Sequence, residues 1–137
     1  MFPFKKEKRP ANNIKILKNE VWDLFSEWVR RSEANDEGYG RCVTCGSLRH
    51  WKAADAGHYI HRTLFLIPEL VHFQCKQCNG YGHGVLDRYK EFMLKKYGQK
   101  TLDKLEYLAK RPHNYTVFEL NQFKKLYQGK LKELHSG

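Results

Sequence analysis

A chain of 137 residues with 41% hydrophobic and 14% aromatic side chains can bury one modest core and does not have the composition of a disordered segment. No apolar run approaches the ~20 residues of a membrane span, and the opening MFPFKKEKRP lacks the apolar stretch of a signal peptide. The expectation is no membrane partner and a cytoplasmic location. The 25 basic side chains exceed the 15 acidic ones by a formal charge of +10, which suits either a polyanionic partner or a well-solvated surface.

In chain order, residues 1–13 read as a basic flexible arm, with Lys5, Lys6, Lys8 and Arg9 against Glu7, and residues 14–137 as a single domain. From Ile14 to Ala34, Ile14, Leu17, Val21, Leu24, Phe25, Trp28 and Val29 recur at spacings of three and four, which predicts a helix. NDEGYG at 35–40 ends it in a loop, and CVTC follows at 42–45. Residues 48–60 carry no helical stripe and read as a hairpin or a strand ending near Ile60. Residues 63–69 form a loop punctuated by Pro68, and 70–74 (LVHFQ) a short strand entering CKQC at 75–78. Gly80, Gly82 and Gly84 predict a flexible turn around Tyr81 and His83. Helices are expected over 84–97 with Gly98 as stop, over 101–110 with Thr101 as N-cap and Pro112 beyond it, and from Thr116 to about Leu134. Thr116 and Glu119 have the spacing of a capping box.

The four cysteines form two C-x-x-C pairs with 29 residues between Cys45 and Cys75. Two such turns present four thiolates and close a tetrahedral zinc shell with no open position. A disulfide role fits poorly in a chain without an export signal, and a thioredoxin-like redox site needs only one pair. Cys42, Cys45, Cys75 and Cys78 are therefore read as structural Zn2+ ligands. The gap exceeds the ~15–20 residues of the common spacing, so something is inserted, and the insertion contains DAGHYIHR at 55–62. A histidine at the end of a short strand beside a helix offering a metal ligand suits phosphodiester hydrolysis. A neutral imidazole can take a proton from water, and a divalent cation stabilises charge on the phosphate and the leaving oxygen. The segment 87–111, with eight basic against four acidic side chains, adds positive charge just beyond.

The combination of C-x-x-C, AGHYI-x-R at 56–62, H-x-Q-C-x-x-C-N at 72–79, H-G at 83–84 and K-Y-G at 96–98 resembles the NinG (Rap) family of phage recombination proteins. The resemblance runs from about Val21 to Leu134. It implies an α+β fold, with a small zinc-clamped ββα-metal (HNH-like) core, an N-terminal helix and a helical C-terminal tail. It also implies a nuclease acting on branched or recombination-intermediate DNA in the host cell cytoplasm. By the same resemblance His58 matches the general base, Asp55 a candidate ligand or orienting carboxylate, Arg62 a phosphate-holding residue, and His83 a candidate ligand for catalytic Mg2+ or Mn2+. Lys90, Lys95, Lys96 and Lys100 are candidates for a DNA-facing stripe. Larger family members carry an extra cysteine-rich N-terminal segment that these residues do not include. Two positions depart from the pattern: Leu70 and Val85 stand where the family has asparagine. Leu cannot hydrogen-bond the loop carrying the base, and Val cannot ligate a hard cation.

Each candidate has a plainer reading. His58 and His72 suit structural histidines, while His61 suits an exposed one. Trp22, Phe25 and Trp28, at helical spacing, suit core packing, and the lysines a solvated face. On a regular strand Asp55 and His58 point to opposite faces unless a bulge near Gly57 intervenes. Two functions from different classes follow: a metal-dependent HNH-type endonuclease, or a degenerate scaffold that binds DNA or a protein partner without cutting. A resolvase needs two active sites, so a homodimer is considered, although no dimer face is legible.

Overall fold

The computed structural model describes residues 10–60, 66–81, 85–111 and 113–136. The basic arm through Arg9, together with His61, Arg62, His83 and Pro112, lies outside them. Helix α1 (Pro10–Ser32) begins at Pro10, whose fixed φ suits a first turn. Its last turn carries Arg30 and Arg31, favourable against the negative end of the helix dipole. The loop after it turns on Asn35, whose side-chain oxygen accepts from the Glu37 and Tyr39 amides at 3.0 Å.

Strands β1 (Tyr39–Arg41) and β2 (Leu48–His50) form an antiparallel hairpin around the first cysteine pair. A 3-10 turn at Trp51–Ala53 leads into β3 (Ala54–His58), and another at Pro68–Leu70 into β4 (Val71–Cys75). These two strands pair antiparallel one to one, from Ala54 opposite Cys75 to His58 opposite Val71. The register has no bulge. Ala54, Ala56, His58, Val71, Phe73 and Cys75 therefore share one face, and Asp55, Gly57, His72 and Gln74 the other.

Each face is covered by helices, which makes three thin layers. Against the first, Val21, Phe25 and Val29 of α1 pack on Ala56 and Val71, joined by Leu120 and Tyr127 of α5 (Val117–Ser136). Beyond the second lie α3 (Leu86–Tyr97) and α4 (Gln99–Ala109), whose Tyr89, Met93, Leu102 and Leu105 bury Tyr59 and Leu70. Among the described residues the fold is thus mixed α+β with two small antiparallel sheets.

Two expectations change at the helix ends. α4 starts at Gln99, so Thr101 lies inside it. Gly98, at φ +85°, donates to the Leu94 carbonyl to end α3 while its own carbonyl accepts from Leu102, so one residue closes one helix and opens the next. The second cysteine pair also contains an unexpected helical turn, α2 (Lys76–Gly80). At α5 the capping box forms in both directions: Thr116 Oγ1 accepts from the Glu119 amide and the Thr116 amide donates to Glu119 Oε1, each at 3.1 Å.

Candidate functional site

Cys42 ends the β1 side of the hairpin, Cys45 sits in its turn, Cys75 ends β4 and Cys78 lies in α2. Their four sulfurs come within 4.8 Å of one another. The Cys45–Cys75 separation is 3.8 Å; Zn–S bonds of ~2.3 Å in a tetrahedron put sulfurs ~3.8 Å apart, so donor type and geometry are consistent with structural zinc. Donors already face the sulfurs. Thr44 Oγ1 lies 3.2 Å from Cys42 Sγ and Ser47 Oγ 3.0 Å from Cys45 Sγ, and the Cys78 amide donates to Cys75 Sγ at 3.4 Å. Burial works against ionising Cys42, but the Thr44 hydroxyl and nearby backbone donors outweigh it and bring the thiol down to about 6. Cys78 is pushed up to about 12, first by burial and also by the neighbouring thiols. A cation shared by all four would remove that conflict.

On the second face of the β3–β4 sheet, Asp55 turns toward α2. Its carboxylate accepts from Lys76 Nζ at 2.7 Å and from Asn79 Nδ2 at 3.0 Å. Burial raises the Asp55 pKa, yet these hydrogen bonds and the Lys76 charge win and hold it below its ordinary value. Asn79 follows Cys78 directly and belongs to a quoted motif; strand alternation, which sends Asp55 to the α2 side, is the signal that could have paired them.

His58 points the other way, toward α1. Its ring stacks on Trp22, with centroids 4.8 Å apart and planes 15° apart, and Lys18 and Asn19 complete a shallow groove around it. The strand end carrying it is held on both sides. The buried Tyr89 hydroxyl donates to the Gly57 carbonyl at 2.6 Å, and the Tyr59 amide donates to the Leu70 carbonyl at 2.8 Å. The structure therefore does not bring His58 and Asp55 together.

His72 is buried and ties three elements: Nδ1 faces both Glu33 oxygens at 3.2 Å, while Nε2 lies 3.0 Å from the Glu69 carbonyl and 2.9 Å from the Tyr97 hydroxyl. Lys90, Lys95, Lys96 and Lys100 are all exposed, but not as one stripe. Lys95 shares a groove with Arg88, Val43 and Thr44, whereas Lys96 lines another with Glu33, Glu69 and His72. Seven residues apart on a helix, Arg88 and Lys95 share a face, and Lys96 is turned ~100° from it. Leu70 is 2% exposed. Val85 is the N-cap of α3, with no side-chain hydrogen bond to the helix, at φ 57° and ψ 58°. Among the described residues no helix is long and apolar enough to cross a membrane, and the cysteine cluster is the only group of three or more His, Cys, Asp or Glu placed to hold an ion.

A family model described as "Bacteriophage Lambda NinG protein" matches residues 3–136. "Protein ninG" of Escherichia phage 933W and that of Escherichia phage lambda are each 32% identical to the chain over 126 residues, covering 81% of it and 60% and 59% of their own lengths. "Protein ninG" of Salmonella phage P22 is 32% identical over 124 residues, covering 80% of the chain and 58% of its own length. The chain thus spans about three-fifths of these curated relatives. No solved structure matches it.

Proposed function

This chain belongs to the NinG family of bacteriophage proteins, and on that premise we propose that it is a divalent-metal-dependent DNA endonuclease of the HNH type, acting on branched or recombination-intermediate DNA. The observation that carries this reading is the setting of His58. It ends a strand braced from both neighbours, and its ring lies in an open groove beside Lys18 and Asn19. An imidazole held this way can accept the proton of an attacking water while Lys18 attracts the phosphate. The stack on Trp22 fixes the ring plane. The cysteine cluster, closed by four thiols, clamps the β1–β2 turn to the end of β4 and leaves the chemistry to other residues. Arg88 and Lys95 on α3, with Lys90, Lys96 and Lys100, supply further phosphate contacts, and Arg62 belongs with them in this reading.

A divalent ion would stabilise charge on the phosphate and the leaving oxygen. The described residues do not complete a site for one beside His58. Asp55 and the Asn79 amide are oxygen donors on the opposite face, and Lys76 already neutralises Asp55. Leu70 and Val85 offer no oxygen to a hard cation that takes about six.

A second reading rests on Leu70. Its side chain fills the core with Tyr59, Tyr89 and Met93, where a polar residue would otherwise brace the base. That favours a decayed nuclease scaffold that binds DNA without cutting it. Incubation with supercoiled plasmid and with a four-way junction in Mg2+ or Mn2+ separates the two. Under the first reading the wild type cuts and His58→Ala does not. Binding by both proteins with no cutting by either leaves the second. Cutting that survives the substitution removes His58 from the base role. Sedimentation with and without the junction tests a homodimer.

A further inference from the structure

From Gly38 to Ala54 the sequence contains Arg41, Arg49, Lys52 and His50 and no Asp or Glu. The fold puts Arg41, Arg49 and Lys52 on the surface of the β1–β2 hairpin and its 3-10 turn. The end of α1 adds two more cations. The Arg30 and Arg31 guanidinium carbons lie 5.4 and 5.2 Å from the centre of the Trp51 ring, and the Lys52 ammonium lies 5.7 Å from it. One cation on an indole is a favourable pair; three bring like charges together. Arg31 pairs with Glu27 at 3.2 Å, and Arg30 feels the charges of Glu27, Asp55 and Asp23. Arg30 also donates to the Trp51 carbonyl at 3.0 Å, which fastens the hairpin to α1. Aromatic rings continue outward: His50 lies 5.9 Å from Trp51, and Tyr39, 42% exposed, meets His50 edge-on at 5.2 Å. Asp36, in the loop before β1, shares a groove with Arg31 and Trp51, so the cations of the hairpin itself carry the excess charge.

We infer that this hairpin, with the end of α1, is a second DNA-contact surface, separate from the His58 groove, in which Arg41, Arg49 and Lys52 take the phosphate backbone and Tyr39 stacks on an unpaired base. The inference rests on the reading that the chain acts on DNA. The occupant follows from charge complementarity: a surface of clustered cations interleaved with rings, whose 38–54 hairpin segment carries no acid, matches a strand with a phosphate per nucleotide and an aromatic base. Trp22, which stacks on His58, and Arg30, which contacts Trp51, are eight residues apart on α1, or ~12 Å at a rise of ~1.5 Å per residue. That is the axial rise of three to four base pairs at ~3.4 Å each, so one DNA molecule can touch both places.

The test is fluorescence anisotropy of the zinc-loaded full chain with labelled junction and flap DNA, across a salt series and without added Mg2+. Each lost phosphate contact lowers the salt slope by ~0.7–0.9, so Arg49→Ala/Lys52→Ala flattens it by about 1.4–1.8 and weakens binding at low salt at least tenfold. Among the described residues Arg49 donates to the neighbouring Leu48 carbonyl, and zinc content together with circular dichroism checks the fold; Lys52→Gln alone, with a loss of ~0.7–0.9, serves if the double variant is unstable. Tyr39→Ala weakens flap binding more than duplex binding. An unchanged slope in a folded variant overturns the inference, as does equal competition by polyglutamate, which assigns the surface to an acidic protein. If the wild type cuts nothing yet the slope flattens, the endonuclease reading falls and this surface stands. If it cuts and the slope is unmoved, this surface falls alone.

Discussion

Replacing Gly57 with alanine tests how the strand that carries His58 is held. A Cβ at Gly57 would stand 2.0 Å from Gln74 Oε1 and 2.9 Å from Gln74 Cβ and Cδ, so Gln74 must move or β3 must part from β4. Gln74 is fully buried, and its amide donates to Thr44 Oγ1 at 3.2 Å. That same oxygen lies 3.2 Å from Cys42 Sγ, so the disturbance reaches the cysteine cluster. Overpacking costs about 1–3 kcal/mol and a lost buried hydrogen bond about 1 more. At about 3–5 °C per kcal/mol for a domain of this size, the melting temperature should fall by about 6–20 °C. Gly129→Ala is the control: nothing lies within 4 Å of its added carbon, and removing a glycine from the middle of α5 should stabilise by about 0.5–1 kcal/mol. Both are read by circular dichroism melts of the zinc-loaded protein. Gln74→Ala should rescue part of the Gly57→Ala loss, because it removes the nearest clashing atoms. A Gly57→Ala melt within about 1 °C of wild type, or no rescue at all, would refute the packing argument.

Val85 holds a β-branched side chain at φ 57°, a left-handed conformation costing about 1–2 kcal/mol that asparagine tolerates better. Val85→Asn should therefore raise stability by about 1 kcal/mol in a urea titration, and a loss would contradict the strain. Thr116→Ala removes half of the capping box on α5 and should cost about 1 kcal/mol in the same titration. Elemental analysis should find about one zinc per chain; with Cys78 protonated to about 12 in the metal-free cluster, zinc uptake should release protons to an indicator dye. Because the folded pKa of Asp55 is depressed, its contribution is fully present above the ordinary value of ~3.9 and is lost as pH falls through the folded value. Asp55→Asn should thus be less stable than wild type at neutral pH, with the gap closing below about pH 4; a gap that widens on acidification would reverse the assignment.

The features legible in the sequence are those written at short range. The cysteine pairs announce a four-sulfur cluster because each C-x-x-C turn is a local chelate, and the two pairs do meet. The core face of α1 is legible because its period is that of a helix, and the α5 start because Thr116 and Glu119 are three apart. The hairpin strand at Tyr39–Arg41 is too short to carry a pattern of its own. The α2 turn exists because Cys75 caps it from within the cluster, a contact with no hydrophobic period. Asp55 finds Asn79 across 24 residues, and His72 finds Glu33 across 39; neither separation leaves a trace in the spacing.

The surroundings of His58 show why a correct helix assignment still understates a site. Val21, Phe25 and Val29 mark the core-facing stripe of α1. Trp22, one residue on, is turned ~100° from Val21 and so stands at the flank of that stripe, where the helix overhangs the end of β3. There it packs partly against the core and stacks its ring on His58. Four and eight residues further along the same flank come Ser26 and Arg30, hydrogen-bonded to each other, and Arg30 reaches the Trp51 carbonyl. A single helix edge therefore connects the His58 groove with the basic hairpin. The first three strands contribute Tyr39, Arg41, Arg49 and His58 to those two places, while α1 sets the distance between them. A substitution such as Trp22→Ala should consequently act on the His58 ring first and on the core only second, which separates the two roles that helical spacing alone merges.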